Sequence, residues 1–147
     1  MRGPMKRRDQ SGAAAVEAAL VLCFIVVPLT FAMISYAFMF SFRQSLSQAA
    51  AEGVRAAALA PAGTSHAAAE AVATTAINDA LNGLSSGVSC GVKNLVCTFT
   101  WTTCGTATCV GVDVSYPYRN HPLLPSFPGF DHILPANLAY DATAQVN

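Results

Sequence analysis

Between Glu17 and Arg43 the chain runs for 25 residues without a charge. The run is mostly Leu, Val, Ile, Phe, Ala and Met, with Thr30, Ser35 and Ser41 as its aliphatic hydroxyls. At about 1.5 Å of rise per residue it makes about 37 Å of helix, enough to cross a hydrocarbon core of about 30 Å. Pro28 interrupts the run, and a membrane helix tolerates such a kink better than a soluble one. Past Arg43 the small residues Ala49, Gly53 and Ala57 continue at helical spacing, and Pro61-Ala62-Gly63 ends the pattern. Unbroken from 13 to about 60, this helix would be about 72 Å long. A second helix is predicted over about 65–82, capped by Thr64 or Ser65 and stopped by Asn82-Gly83. Its apolar stripe reads Ala68, Val72, Ala76 and Ala80, with Ile77, Leu81 and Leu84 beside them. That stripe is core, or packing against the first helix, and suggests no cofactor role.

After the linker Ser85-Ser86-Gly87 the chain turns to Val, Thr, Cys and aromatics, which predicts strands. Residues 95–103 and 109–116 form a hairpin around Gly105-Thr106-Ala107-Thr108. If Cys104 faces Cys109, then Trp101 faces Val112, Phe99 faces Val114 and Cys97 faces Tyr116. One face is then apolar, and the other carries Thr100, Thr102, Gly111, Asp113 and Ser115. Alternation of Leu138, Tyr140, Ala142, Ala144 and Val146 predicts a third strand over 138–146. The second helix is expected to cover the apolar face. The fold class is therefore α+β: a long N-terminal transmembrane helix continuing outside the membrane, then an amphipathic helix on a small antiparallel sheet.

Composition narrows the function. Hydrophobic residues make up 53% of the 147 and charged residues 11%, against about 25% charged in ordinary soluble domains. This excludes a charge-rich disordered chain, and eight Lys and Arg are too few for a nucleic-acid stripe. The neutral total hides an asymmetry, because Arg2, Lys6, Arg7 and Arg8 crowd the first nine residues against Asp9 alone. By the positive-inside bias the N-terminus stays in the cytoplasm and the region after residue 43 lies outside.

Four of the five cysteines fall in the strand region. The hairpin puts Cys104 and Cys109 within disulfide reach on the polar face, leaving Cys90 to pair with Cys97. Three connectivities are formally open, and this one ranks first. Spacings of seven, seven and five suit a zinc site poorly, and an outside compartment favours oxidation. Cys23 sits in the span as a small apolar residue.

The residues before the span read Lys6-Arg7-Arg8-Asp9-Gln10-Ser11-Gly12-Ala13-Ala14-Ala15-Val16-Glu17. A basic leader ending in Gly, with Glu five positions on, resembles the class III signal of type IV pilin-like proteins. That resemblance implies a membrane-embedded prepilin peptidase cutting after Gly12, with the hydrophobic helix retained. Ala13 becomes the first residue and Glu17 the fifth. Glycine suits a scissile bond because the backbone can approach the protease closely. An ionisable residue at the edge of a membrane helix is costly and usually partnered. Glu17 can neutralise its own new amine or, as the resemblance implies, that of a neighbouring subunit. A plain acidic residue favoured by the helix dipole is the simpler alternative.

Ala51-Glu52-Gly53-Val54-Arg55-Ala56, placed after the span, is similar to the alanine–acid–Gly–x–Arg–Ala stretch of the TadE-like family of the tight-adherence (Flp) pilus system. Val114-Ser115-Tyr116-Pro117-Tyr118 and Pro122-Leu123-Leu124-Pro125 also resemble that family. The resemblance is firm over about residues 10–60 and looser over about 110–146. Ala18 departs from the aromatic that follows the glutamate in many relatives. With the large C-terminal region, it favours a minor pseudopilin over the fibre subunit. The resemblance implies a type IVb pilin-like fold and Glu52, Gly53 and Arg55 as family-motif residues. It also implies prepilin peptidase, other pilin-like subunits and the bilayer as partners, with a role in adhesion.

Organisation follows as a basic leader (1–12), a transmembrane and extended helix (13–60), a linker with the second helix (61–87) and a disulfide-bonded antiparallel region (88–147). No nucleophile elbow, metal-binding His pair or phosphate loop appears, so no catalytic residue, metal, cofactor or small-molecule substrate is expected. His66, His121 and His132 are scattered, and the Pro-rich stretch 117–136 is expected to pack. The expectation is a single-pass protein of the cytoplasmic membrane acting in pilus assembly or secretion. Two alternatives stand beside it. One is an unprocessed single-pass protein with an outer binding module. The other is a secreted enzyme freed by cleavage at Ser35-Tyr36-Ala37.

Overall fold

The computed structural model describes residues 10–61, 63–82, 87–124 and 134–146, with side chains from residue 12 onward. Residues 1–9 of the leader, Gly83, Leu84, the Ser85-Ser86 pair, Pro125, Phe127, Phe130 and the Asp131-His132 pair lie outside the described residues. The chain divides into two units, one up to Ala37 and one from Phe38 onward.

The first unit holds helix α1 (Gln10–Val21), a π-helical turn (Leu22–Val26) and the start of α2 (Val27–Ala58). The π-turn has a local cause. Pro28 brings no N–H, and its ring crowds the carbonyl of Phe24. The helix widens just before it, so the Val27 N–H reaches back five residues to the Leu22 carbonyl. Thr30 folds its hydroxyl onto the Val27 carbonyl at 2.8 Å. Along α1, the π-helical turn and the start of α2 the large apolar side chains stay uncovered, Phe24 being 75% exposed.

The second unit is a two-layer α+β domain. Its helices are the rest of α2 and α3 (His66–Asn82), and its sheet holds β1 (Val96–Cys104), β2 (Ala107–Tyr116) and β3 (Leu138–Val146). The sheet is an antiparallel meander in the order β1-β2-β3. Ser65 caps α3, its Oγ accepting the Ala68 N–H at 3.3 Å. The buried stripe of α3 is Ala69, Ala73, Ile77 and Leu81. This corrects the expected stripe by one position, because Val72 is 54% exposed and, among the described residues of that set, only Ile77 and Leu81 are fully buried. The buried side of α2 is Phe42, Leu46, Ala49, Ala50, Val54 and Ala57, and β2 supplies Val110, Val112, Val114 and Tyr116.

The hairpin register also differs from expectation. Trp101 pairs with Val110, Cys97 with Val114 and Cys104 with Ala107, two residues away from the pairing expected. The reason lies in the turn. Gly105, at φ +65°, lets two residues reverse the chain, as a Gly-first hairpin turn requires. A shift of two leaves each side chain on its expected face, so the apolar and polar faces are as read. Cys104 and Cys109 then sit diagonally, with Cα atoms 5.8 Å apart, and are bonded. Cys90 and Cys97 form the other bridge at 5.5 Å. The Cys90 N–H donates to Asn78 Oδ1 at 2.8 Å, tying the 87–95 loop to α3.

Candidate functional site

Gly12 lies in α1, and a Cβ added there would meet nothing within 4 Å. Among the described residues, packing therefore does not require glycine at this position. Ala13, next to it, is exposed. Glu17 lies one turn later on the same helix, exposed and without a hydrogen-bond or ion-pair partner among the described residues. The helix from Gly12 to Ala58 is long and apolar enough to cross a membrane, and its most apolar window is wholly unburied. One such uncovered helix near the N-terminus fits a single-pass membrane protein.

The three residues of the second motif behave differently from one another. Gly53 is buried where α2 meets α3. A Cβ there would sit 2.5 Å from Ile77 Cγ1 and 2.7 Å from Cδ1, so glycine is what lets the helices approach. Glu52 and Arg55 point to the exposed side of α2, with no partner among the described residues. One motif residue closes the fold, and two charges are left on the surface.

Near the beginning of α3 lies a cluster that sequence reasoning missed. The His66 ring stacks on Trp101, centroids 3.9 Å apart and planes 3° from parallel. Trp101 donates its indole N–H to Glu70 Oε1 at 2.8 Å. A cavity of about 130 Å³ beside it is lined by Ala57, Pro61, Thr64, His66, Trp101 and Val146 among others. The available signal was the four-residue spacing of His66 and Glu70, which puts both on one helix face opposite the single tryptophan. The cluster packs a helix onto a strand, and it holds no nucleophile–base pair. His121 uses its backbone instead, accepting the Tyr116 hydroxyl at 2.8 Å. Among the described residues no group of three or more His, Cys, Asp or Glu could hold a metal.

At the start of the domain Phe42 meets Tyr116 edge-on at 5.1 Å and Tyr118 at 6.3 Å. Burial raises the Tyr116 phenol above its usual value. Burial raises that of Tyr118 as well, and neighbouring Tyr116 adds to it. Arg43, the first charge after the apolar run, donates from Nε to the Tyr140 hydroxyl, with its guanidinium carbon 5.7 Å from that ring's centroid. Arg119 closes the Pro-rich segment, with Nε and Nη2 both on the Leu134 carbonyl at 3.0 and 2.7 Å.

Residues 12–55 match the family model described as TadE-like protein. The match runs from Gly12 through the Glu52-Gly53-Val54-Arg55 stretch, and this part of the chain is similar to the TadE-like family. No curated protein and no solved structure matches the chain.

Proposed function

We propose that this TadE-like chain is a membrane-anchored minor pseudopilin with a structural, non-enzymatic role in assembly or secretion of a Flp (tight-adherence) pilus. The observation that carries the reading is the uncovered apolar helix coinciding with the family match. In this reading a prepilin peptidase cuts after Gly12 and leaves Ala13 as the new N-terminus. Among the described residues no contact demands glycine at position 12, which leaves that residue open to the role in processing. The basic leader stays in the cytoplasm, the helix remains in the cytoplasmic membrane and the α+β domain lies outside. Glu17, which has no partner among the described residues, takes up the Ala13 amine of a neighbouring pilin-like subunit.

Sequencing the N-terminus of the membrane-extracted protein tests this. Ala13 as the first residue supports processing. Met1 supports an unprocessed anchor carrying a binding module, and Phe38 supports secretion. A Glu17→Ala protein should be cut normally yet fail to co-purify with its partner subunits. Normal assembly of that variant would refute the subunit pairing.

A further inference from the structure

We propose that Arg43 and Tyr140 form a binding site for the phosphodiester of a membrane phospholipid. Phe40, Arg43, Gln44 and Ser47 share one face of α2, at the spacing that stacks successive turns. With Ser41 and Tyr140 they line an open groove beside β3. Tyr140 holds the guanidinium through Nε, and both Nη groups are left without a partner among the described residues. A planar fork fixed at one corner, with its two outer amino groups free, is the geometry that grips phosphate in a bidentate manner. Gln44 and Ser47 add polar groups beside it. Phe40 is 57% exposed at the other end of the groove and offers an apolar surface to the first carbons of an acyl chain.

The place selects the ligand. Arg43 is the first charge after 25 uncharged residues, so in a membrane-crossing helix it arrives at headgroup depth. Tyrosine is enriched at that same level. A phospholipid phosphate is present there at far higher local concentration than any soluble anion. The inference rests on the membrane-anchored reading, but not on processing or assembly.

The test uses the full chain in a non-ionic detergent, with native mass spectrometry after addition of phosphatidylglycerol or of diacylglycerol with the same acyl chains. The wild type should retain one phosphatidylglycerol and bind diacylglycerol no better than Arg43→Gln does. Arg43→Gln should weaken phosphatidylglycerol retention about tenfold, as loss of a charge-assisted bidentate contact implies. Tyr140→Phe, which keeps the ring but releases the fork, should fall between them. Unchanged Trp101 emission in each variant verifies folding. If Arg43→Gln misfolds, Arg43→Lys keeps the charge without the fork and should still bind more weakly than wild type. Equal retention by the folded Arg43 variant overturns the proposal, as does equal binding of diacylglycerol. Displacement of the lipid by millimolar inorganic phosphate would assign the site to a soluble anion and overturn it too. Membrane fractionation separates the two readings: a wild-type protein absent from membranes sinks the anchor itself. A membrane-bound protein indifferent to Arg43 sinks this inference alone.

Discussion

Gly53→Ala should destabilise the domain, against the ordinary rule for a helical glycine. In an open helix the change gains about 1 kcal/mol, because alanine is the better helix former. Here the new methyl would stand 2.5 and 2.7 Å from Ile77 Cγ1 and Cδ1, closer than real carbon contacts allow. Ile77 is fully buried, so its side chain has no solvent to move into. Overpacking of this kind costs about 1–3 kcal/mol, which outweighs the propensity gain and leaves a net loss of about 1 kcal/mol. Ile77→Ala removes both offending carbons and costs about 2–5 kcal/mol by itself. In that background Gly53→Ala should become stabilising by about 1 kcal/mol, since only the propensity term and some filled space remain. The cycle should therefore show a coupling of about 2 kcal/mol between the two sites. Denaturant unfolding followed by Trp101 emission, in a fixed detergent, measures all four proteins. A Gly53→Ala protein more stable than wild type, with no coupling to Ile77, would refute the close-approach argument.

Alkylation of the unfolded, unreduced protein should label Cys23 alone, and reduction should release the other four thiols. Chymotryptic cleavage at Phe99 and Trp101 falls between the bridges, so a peptide joining Cys97 to Cys104 would contradict the pairing; deleting either bridge should cost about 2 kcal/mol for loops this short. Tyr116 and Tyr118 give an alkaline prediction. Their folded values are raised by burial, so the neutral phenol is the form the fold favours. The stability this contributes is fully present below the unfolded value of about 10, and it fades as pH climbs through the folded values. Unfolding midpoints should fall from about pH 10 upward, and less steeply in Tyr118→Phe; a flat profile would count against burial of the pair.

The elements that could be read from the chain are those whose pattern has a single cause. Strand β3 shows strict alternation, so its limits Leu138–Val146 agree with the expected 138–146. The helix over 66–82 follows from its cap and its stop. Its buried stripe was misplaced because alanine dominates every face of that segment, and small residues mark orientation weakly. The hairpin register failed for a different reason. Two cysteines can be bonded facing each other directly or across a diagonal, and the two-residue turn at Gly105 selects the diagonal. Gly53 and Ile77 show what no single-element reading reaches, because their contact depends on the crossing of two helices. The Trp101 bond to Glu70 is of the same kind, joining residues 31 positions apart.

The meander has a consequence for how the domain comes into being. Each strand finds its hydrogen-bonding partner in the strand synthesised just before it, and each disulfide joins cysteines only five or seven positions apart. A chain that emerges in N-to-C order can thus lay down its sheet strand by strand, oxidising nearest neighbours without reshuffling. Until β3 arrives, one flank of β2 stays bare and open to promiscuous pairing. Arrival of that final segment both seals the flank and brings Tyr140 to Arg43, so the last piece delivered is the latch that fastens the sheet to α2.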